Sequence, residues 1–96
     1  MAAYLIADIG NIHDTATYDE YRKHTLGVIQ QYGGKFVVRG GRTESLEGGW
    51  NPGRVVVIEF ADVASARRFY DSPEYQKILP LRLKASNGRA ILVEGI

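Results

Sequence analysis

Gly33-Gly34-Lys35-Phe36-Val37-Val38-Arg39-Gly40-Gly41, GGKFVVRGG, is a short run of strand formers between two glycine pairs, with a cation beside each pair. Before it, from Asp14 to Tyr32, residues Tyr18, Tyr21, Thr25, Val28, Ile29 and Tyr32 recur at helical spacing, the mark of an amphipathic helix. Thr17 and Glu20 have capping-box spacing, and Asp14 offers an earlier N-cap. The period changes at Gly33-Gly34, where glycine takes the left-handed cap conformation at no steric cost. Phe36 to Arg39 then reads as a strand.

Working outward, Tyr4 to Ile9 reads as a first strand ended by Gly10-Asn11, and Arg54 to Phe60, RVVVIEF, is the clearest strand of the chain. The connection GGRTESLEGGWNPG is too long for a tight hairpin and is expected to carry a short strand of its own. Asp62 caps a second helix whose buried stripe is Ala66, Phe69 and Tyr70. Ser72-Pro73 restarts it, and Pro80 is expected to end or kink it. Asn87-Gly88 is expected to turn the chain into a last strand, Arg89 to Glu94.

The order β, α, β, β, α, β predicts an α+β, ferredoxin-like βαββαβ domain over residues 1–96 with a four-stranded antiparallel sheet in the order 4-1-3-2. Its two central strands, the first and third, are expected to run parallel to each other.

Twelve Lys and Arg against eleven Asp and Glu leave a net charge of +1 without a block of like charge, which argues against a phosphate-neutralising face for nucleic acid. No cysteine is present, so disulfides, thiolate nucleophiles and cysteine metal sites are excluded together. The first residues, MAAYLIADIG, lack a basic segment and are interrupted by Asp8, so they fit neither a signal peptide nor a membrane span, and cytoplasmic residence is expected. A chain of 96 residues buries little surface alone, which favours a partner.

Strand alternation divides the side chains into two sets. Leu5, Ala7, Ile9, Phe36, Val38, Val56, Ile58, Phe60, Ile91 and Val93 are expected beneath the helices. Tyr4, Ile6, Asp8, Lys35, Val37, Arg39, Val55, Val57, Glu59, Ala90, Leu92 and Glu94 are expected on the opposite, open face. That face is apolar through its middle, as an interface or ligand groove would be. At roughly 25 cal/mol per Å², burying about 400 Å² of it contributes on the order of 10 kcal/mol before association costs. A homodimer with facing sheets enclosing a cavity is therefore expected. With parallel central strands, Asp8, Glu59 and Lys35 collect at one end of this face and Arg39, Tyr4 and Glu94 at the other.

The ordered set YGGKFVVRGG, LEGGW, VVVIEF followed by Asp62 and Ala66, then FYDSPEYQ and Arg82 resembles the uncharacterised family numbered 1330 among domains of unknown function. The likeness spans nearly the whole chain. It implies a dimeric α/β barrel, in which two ferredoxin-like subunits pack sheet to sheet, and a small-molecule pocket. The wider superfamily includes cofactor-independent oxygenases, isomerases and haem-degrading enzymes, so the likeness implies no single reaction.

The candidate catalytic residues are Glu59, as a general base with a pKa raised by apolar walls and Asp8, and His24, near the edge of the buried helix stripe. Their structural alternatives are a cross-strand pair of Glu59 with Lys35 and a merely hydrogen-bonded helix histidine. Candidate substrate-binding residues are Arg39, whose planar fork suits a carboxylate, and Tyr4 and Trp50 at the rim of the face. Tyr75 and Arg82 join them through the family likeness, against the alternative that Tyr75 is core and Arg82 snorkels. His13 is expected in solvent. No histidine pair has metal-site spacing, so no metal is expected, and no cofactor is assigned. Two functions stand: a small-molecule enzyme of the cofactor-independent oxygenase or isomerase type acting on a small anionic or aromatic compound, and a non-catalytic ligand-binding or regulatory module. An RNA-recognition role needs aromatic residues on the open face of the central strands, where Val55, Val57 and Glu59 stand instead.

Overall fold

The computed structural model describes all residues from Met1 to Ile96. Its elements are β1 (Ala3–Ile12), α1 (Thr15–Gln31), β2 (Lys35–Arg39), β3 (Arg54–Phe60), α2 (Val63–Asp71), α3 (Pro73–Ala85) and β4 (Ser86–Glu94). The sheet order is β2-β3-β1-β4 and every pairing is antiparallel. The expected ferredoxin-like arrangement is present. The expected parallel run of its two central strands is not. The α1 crossover sets β2 parallel to β1 with one strand's width between them, and the chain reverses after β2. The strand that fills the gap, β3, therefore runs against both.

Local chemistry explains the boundaries. Asp14, the earlier of the two caps considered, accepts the Thr17 N–H at 3.1 Å, and Gly33 leaves α1 with φ +81°. Asp62 accepts from Ser65 N–H at 2.7 Å and Ser72 from Tyr75 N–H at 3.0 Å, with Pro73 opening α3. Pro80 neither ends nor breaks that helix. It faces solvent, while Ile78, Leu79, Arg82 and Ala85 hold the turns on either side against the core. Asn87-Gly88 makes no turn, because Asn87 pairs with Asn11 and Gly88 with Ile9 and both extend the ladder of β4. The connection from Gly40 to Gly53 carries no strand.

The core lies between one face of the sheet and the helices, around Leu5, Ile9, Ile29, Ile58, Phe60, Phe69 and Leu79. The register corrects the two-face assignment at both edge strands. Leu5 stands opposite Ile58 and Leu92, and Ile6 opposite Val57 and Ile91. Leu92 and Ala90 therefore share the helix-side face, and Ile91 and Val93 the open one, the reverse of expectation. β4 is apolar on both faces at these positions, so alternation carried no signal there.

On β2, Phe36 pairs with Ile58 but Val38 pairs with Val57, so Val37 is an extra residue, a β-bulge. Beyond the bulge the faces exchange. Val38 joins the open face, and Arg39, opposite Val56, turns toward the helices rather than outward.

Candidate functional site

Under α1, over β2, β3 and β1, lies a cavity of about 50 Å³ that opens to solvent. Its floor is Leu5, Ala7, Ile9, Phe36, Val56 and Ile58. Aromatic rings form much of its wall: Tyr21 and Tyr75 meet edge-on at 6.2 Å between centroids, and Phe69 packs on Tyr75 at 4.4 Å. Four arginines, Arg22, Arg39, Arg54 and Arg82, complete the lining, and no carboxylate does.

Each arginine arrives by a separate local cause. Arg39 is carried there by the bulge, and its guanidinium lies 4.6 Å above the Phe36 ring. Arg54 begins β3 opposite Ile9, on the helix-side face, and its Nε is buried without a hydrogen-bond partner. Its guanidinium packs against the Cα of Gly40, whose φ of +70° and missing side chain leave the room. Arg22 lies one turn beyond Tyr18 on α1 and is partly engaged by Asp19 at 3.7 Å. Arg82 is 7 % exposed, too buried to be snorkelling, and has no carboxylate within ion-pair distance. Its guanidinium sits 6.0 Å from the Tyr21 centroid. Burial pulls the Arg82 pKa down, and the Tyr75 and Tyr21 oxygens more than offset that, so the net shift is upward and the charge persists.

The Tyr21 and Tyr75 hydroxyls are 2.7 Å apart. Burial, then the neighbouring Tyr75 oxygen, pushes the Tyr21 phenol well above its usual pKa, so it stays protonated at neutral pH. Chemically, the arrangement offers fixed positive charge and neutral hydroxyl donors above an apolar floor. It contains no histidine and no carboxylate base.

Of the residues singled out from sequence, Arg39, Tyr75 and Arg82 are brought together here. Tyr4 and Glu59 lie on the open face instead, where the Tyr4 hydroxyl donates to Glu59 at 3.4 Å and Lys35 pairs with Glu59 at 3.3 Å. Because β1 and β3 are antiparallel, Asp8 is at the other end of that face. It pairs with Arg89 at 3.8 Å and accepts from the Trp50 indole at 3.4 Å and from Gly53 N–H at 3.2 Å. Asp8 is thus too far along the sheet to act on Glu59, contrary to expectation. His24 lies on the exposed side of α1, 3.2 Å from Glu20, and His13 is exposed as expected. No cluster of three His, Cys, Asp or Glu side chains that could hold a metal ion is present. No helix is long and apolar enough to cross a membrane.

Arg22, Arg54, Tyr18 and Tyr21 were not assigned to a site from sequence. A signal for Arg54 existed: it has the parity of Val56, Ile58 and Phe60, and extending their alternation by one step places it under the helices.

Comparison with known proteins bears on fold and family. The family described as "Domain of unknown function (DUF1330)" matches residues 2–96. No curated protein matches the chain. Among solved structures, a protein of unknown function from Rhodopseudomonas palustris is similar with a TM-score of 0.76 and 18 % identity, covering 99 % of this chain and 82 % of that one. SnoaB, a cofactor-independent oxygenase from Streptomyces nogalater, is similar with a TM-score of 0.65 and 16 % identity over 99 % of this chain and 92 % of its own. A dimeric ferredoxin-like protein of unknown function from Jannaschia sp. CCS1 gives a TM-score of 0.66 and 9 % identity over 99 % of this chain and 100 % of its own. At these identities the likeness shows the fold alone.

Proposed function

The chain belongs to the DUF1330 family, and on that footing we propose that it is a small-molecule-binding protein that takes a small organic anion into the cavity beneath α1. The observation that carries this reading is a lining of four arginines and no carboxylate. Arg22 and Arg39 are solvated at the mouth, but the buried Arg82 and the half-buried Arg54, whose Nε has no partner, are costly unless an anion joins them, and the planar forks match a carboxylate. The pocket lies on the opposite side of the sheet from the face first expected to enclose it. Arg39, Tyr75 and Arg82 keep a binding role in this reading, whereas Tyr4, Glu59 and Trp50 belong to the open face.

That face is assigned to a homodimer, in keeping with the description of the Jannaschia relative as dimeric. Val38 and Val93 are about two-fifths exposed and Ile91 is 62 % exposed. Val38 and Ile91 lie between the Tyr4–Glu59–Lys35 cluster at one end and the Asp8–Arg89 pair at the other, and Val93 stands opposite Tyr4 at the first of these ends. The molecule is a slab of 35 × 33 × 16 Å, whose broad face exceeds the roughly 800 Å² per partner of a standard interface.

A catalytic reading is favoured by the tyrosine hydroxyls and arginines that would hold a developing oxyanion. The Streptomyces relative is described as a cofactor-independent oxygenase. With no base in the lining, any such reaction here starts from a substrate that is already an anion.

The test is calorimetric titration of the purified protein with benzoate and with short aliphatic carboxylates. Saturable binding is expected, weakened about tenfold or more by Arg39→Leu or Arg54→Leu, the loss of one charge-assisted contact. Absence of saturable binding, or unchanged affinity in both folded variants, overturns the pocket assignment. Oxygen uptake with a bound ligand separates the enzyme from the binder.

A further inference from the structure

Tyr21, Tyr75 and Arg82 make a grouping whose chemistry is narrower than anion binding. A tyrosine hydroxyl has one hydrogen to donate and two lone pairs. At 2.7 Å, one hydroxyl of the Tyr21–Tyr75 pair donates to the other and leaves a single O–H uncommitted. The Thr25 hydroxyl, which also lines the cavity, is already spent on the Tyr21 carbonyl oxygen at 2.6 Å. Arg82, buried and without a carboxylate, lies 6.0 Å from the Tyr21 ring centroid and interacts with both tyrosines. The free donor and the charge therefore serve one oxygen atom. A carboxylate, with two oxygens and about four lone-pair sites, would leave part of its capacity unmet there. The outer arginines, Arg39 and Arg54, suit it better.

Flat rings line the cavity, Tyr18, Phe69 and Tyr75 in its walls and Phe36 in its floor, and flat rings pack best on another flat ring. We infer that the ligand is a hydroxyaromatic or enolised compound whose single weakly acidic oxygen is received by the Tyr21–Tyr75 pair with Arg82 and is held there as its anion. This rests on the pocket reading above. In the step it implies, the ligand O–H bond breaks, the proton leaves through the open mouth to solvent, and the electron pair stays on the ligand oxygen. Tyr21 remains protonated throughout, because burial and Tyr75 disfavour its ionisation more strongly than that of an ordinary phenol.

The probe is 4-nitrophenol, whose phenolate absorbs at a wavelength its neutral form does not, titrated with pH in the presence of excess full-length protein. The expected result is a bound pKa lower by about one unit or more, equivalent to at least about tenfold tighter binding of phenolate than of phenol. Tyr21→Phe and Tyr75→Phe each reduce the shift by half or more. Circular dichroism checks the fold of each variant, and the wild-type shift needs no variant at all. Binding of 4-nitrophenol with an unchanged or raised pKa overturns the inference, as does a full shift in both tyrosine variants. Binding of benzoate but not of 4-nitrophenol also overturns it while leaving the anion pocket standing. Failure of both ligands to bind removes the pocket and this inference together.

Discussion

Substituting Gly40 by alanine separates the arginine pocket from the stability of the fold that carries it. Gly40 has φ +70°, and the left-handed region costs an L-residue roughly 1–2 kcal/mol. A Cβ at this position would also stand 2.7 Å from the guanidinium carbon of Arg54. That obstacle is the far end of a flexible side chain, so Arg54 swings aside and the strand stays folded. Gly33 supplies the control, with φ +81° and nothing within 4 Å of an added Cβ. The two alanine variants therefore pay the same backbone term, and their Tm values should fall together, by about 4–8 °C per kcal/mol for a domain of this size. Anion affinity should not fall together. A hydrogen bond to a charged group contributes about 1.5–3 kcal/mol when buried. Arg54 is half-buried, so the lower end applies, and Gly40→Ala should bind benzoate about tenfold more weakly than Gly33→Ala. Differential scanning fluorimetry and calorimetry read the two quantities separately. Equal benzoate affinity in two variants with matched Tm values would refute the role given to Arg54.

Three further outcomes are expected. Ile91→Lys, placing a charge in the middle of the open face, should shift sedimentation from dimer to monomer while circular dichroism stays native, and a persistent dimer counts against that interface. Glu74 has its pKa lowered by its own backbone N–H, then by the Tyr32 and Gln31 donors, so its folded pKa lies below its unfolded one. Its contribution is complete above the unfolded value and is lost as pH falls through the folded value. The Tm should therefore drop on acidification below about pH 4.5, with a shallower drop in Glu74→Gln. Asp62→Ala removes the N-cap of α2 and should cost about 1 kcal/mol, seen as a lower midpoint in urea with an unchanged slope.

The elements of the fold were legible because each is marked locally. Caps, glycine stops and the apolar run of β3 need no knowledge of the rest of the chain. Which face a side chain takes is legible only where alternation is unbroken. KFVVR gives no compositional mark of its bulge, since Val37 and Val38 suit either face, and so the direction of Arg39 was misread. The charge clusters failed for another reason: a wrong relative direction of β1 and β3 moves Asp8 from one end of the sheet to the other without altering any local pattern. Arg54 was within reach of the alternation argument. Arg82 was suggested by family likeness, but its place beside Tyr21 depends on α1 packing against α3, which no spacing along α3 reveals.

The bulge at Val37 gives β2 two addresses. Lys35, before it, belongs to the face that meets another subunit, and Arg39, three residues after Phe36, belongs to the chamber behind the sheet. A single-residue insertion or deletion within this strand would keep its composition, its charge and most of its ladder, yet exchange the two compartments its cations serve. Relatives that differ in length by one residue here are therefore expected to differ in what they bind, even where every arginine is retained.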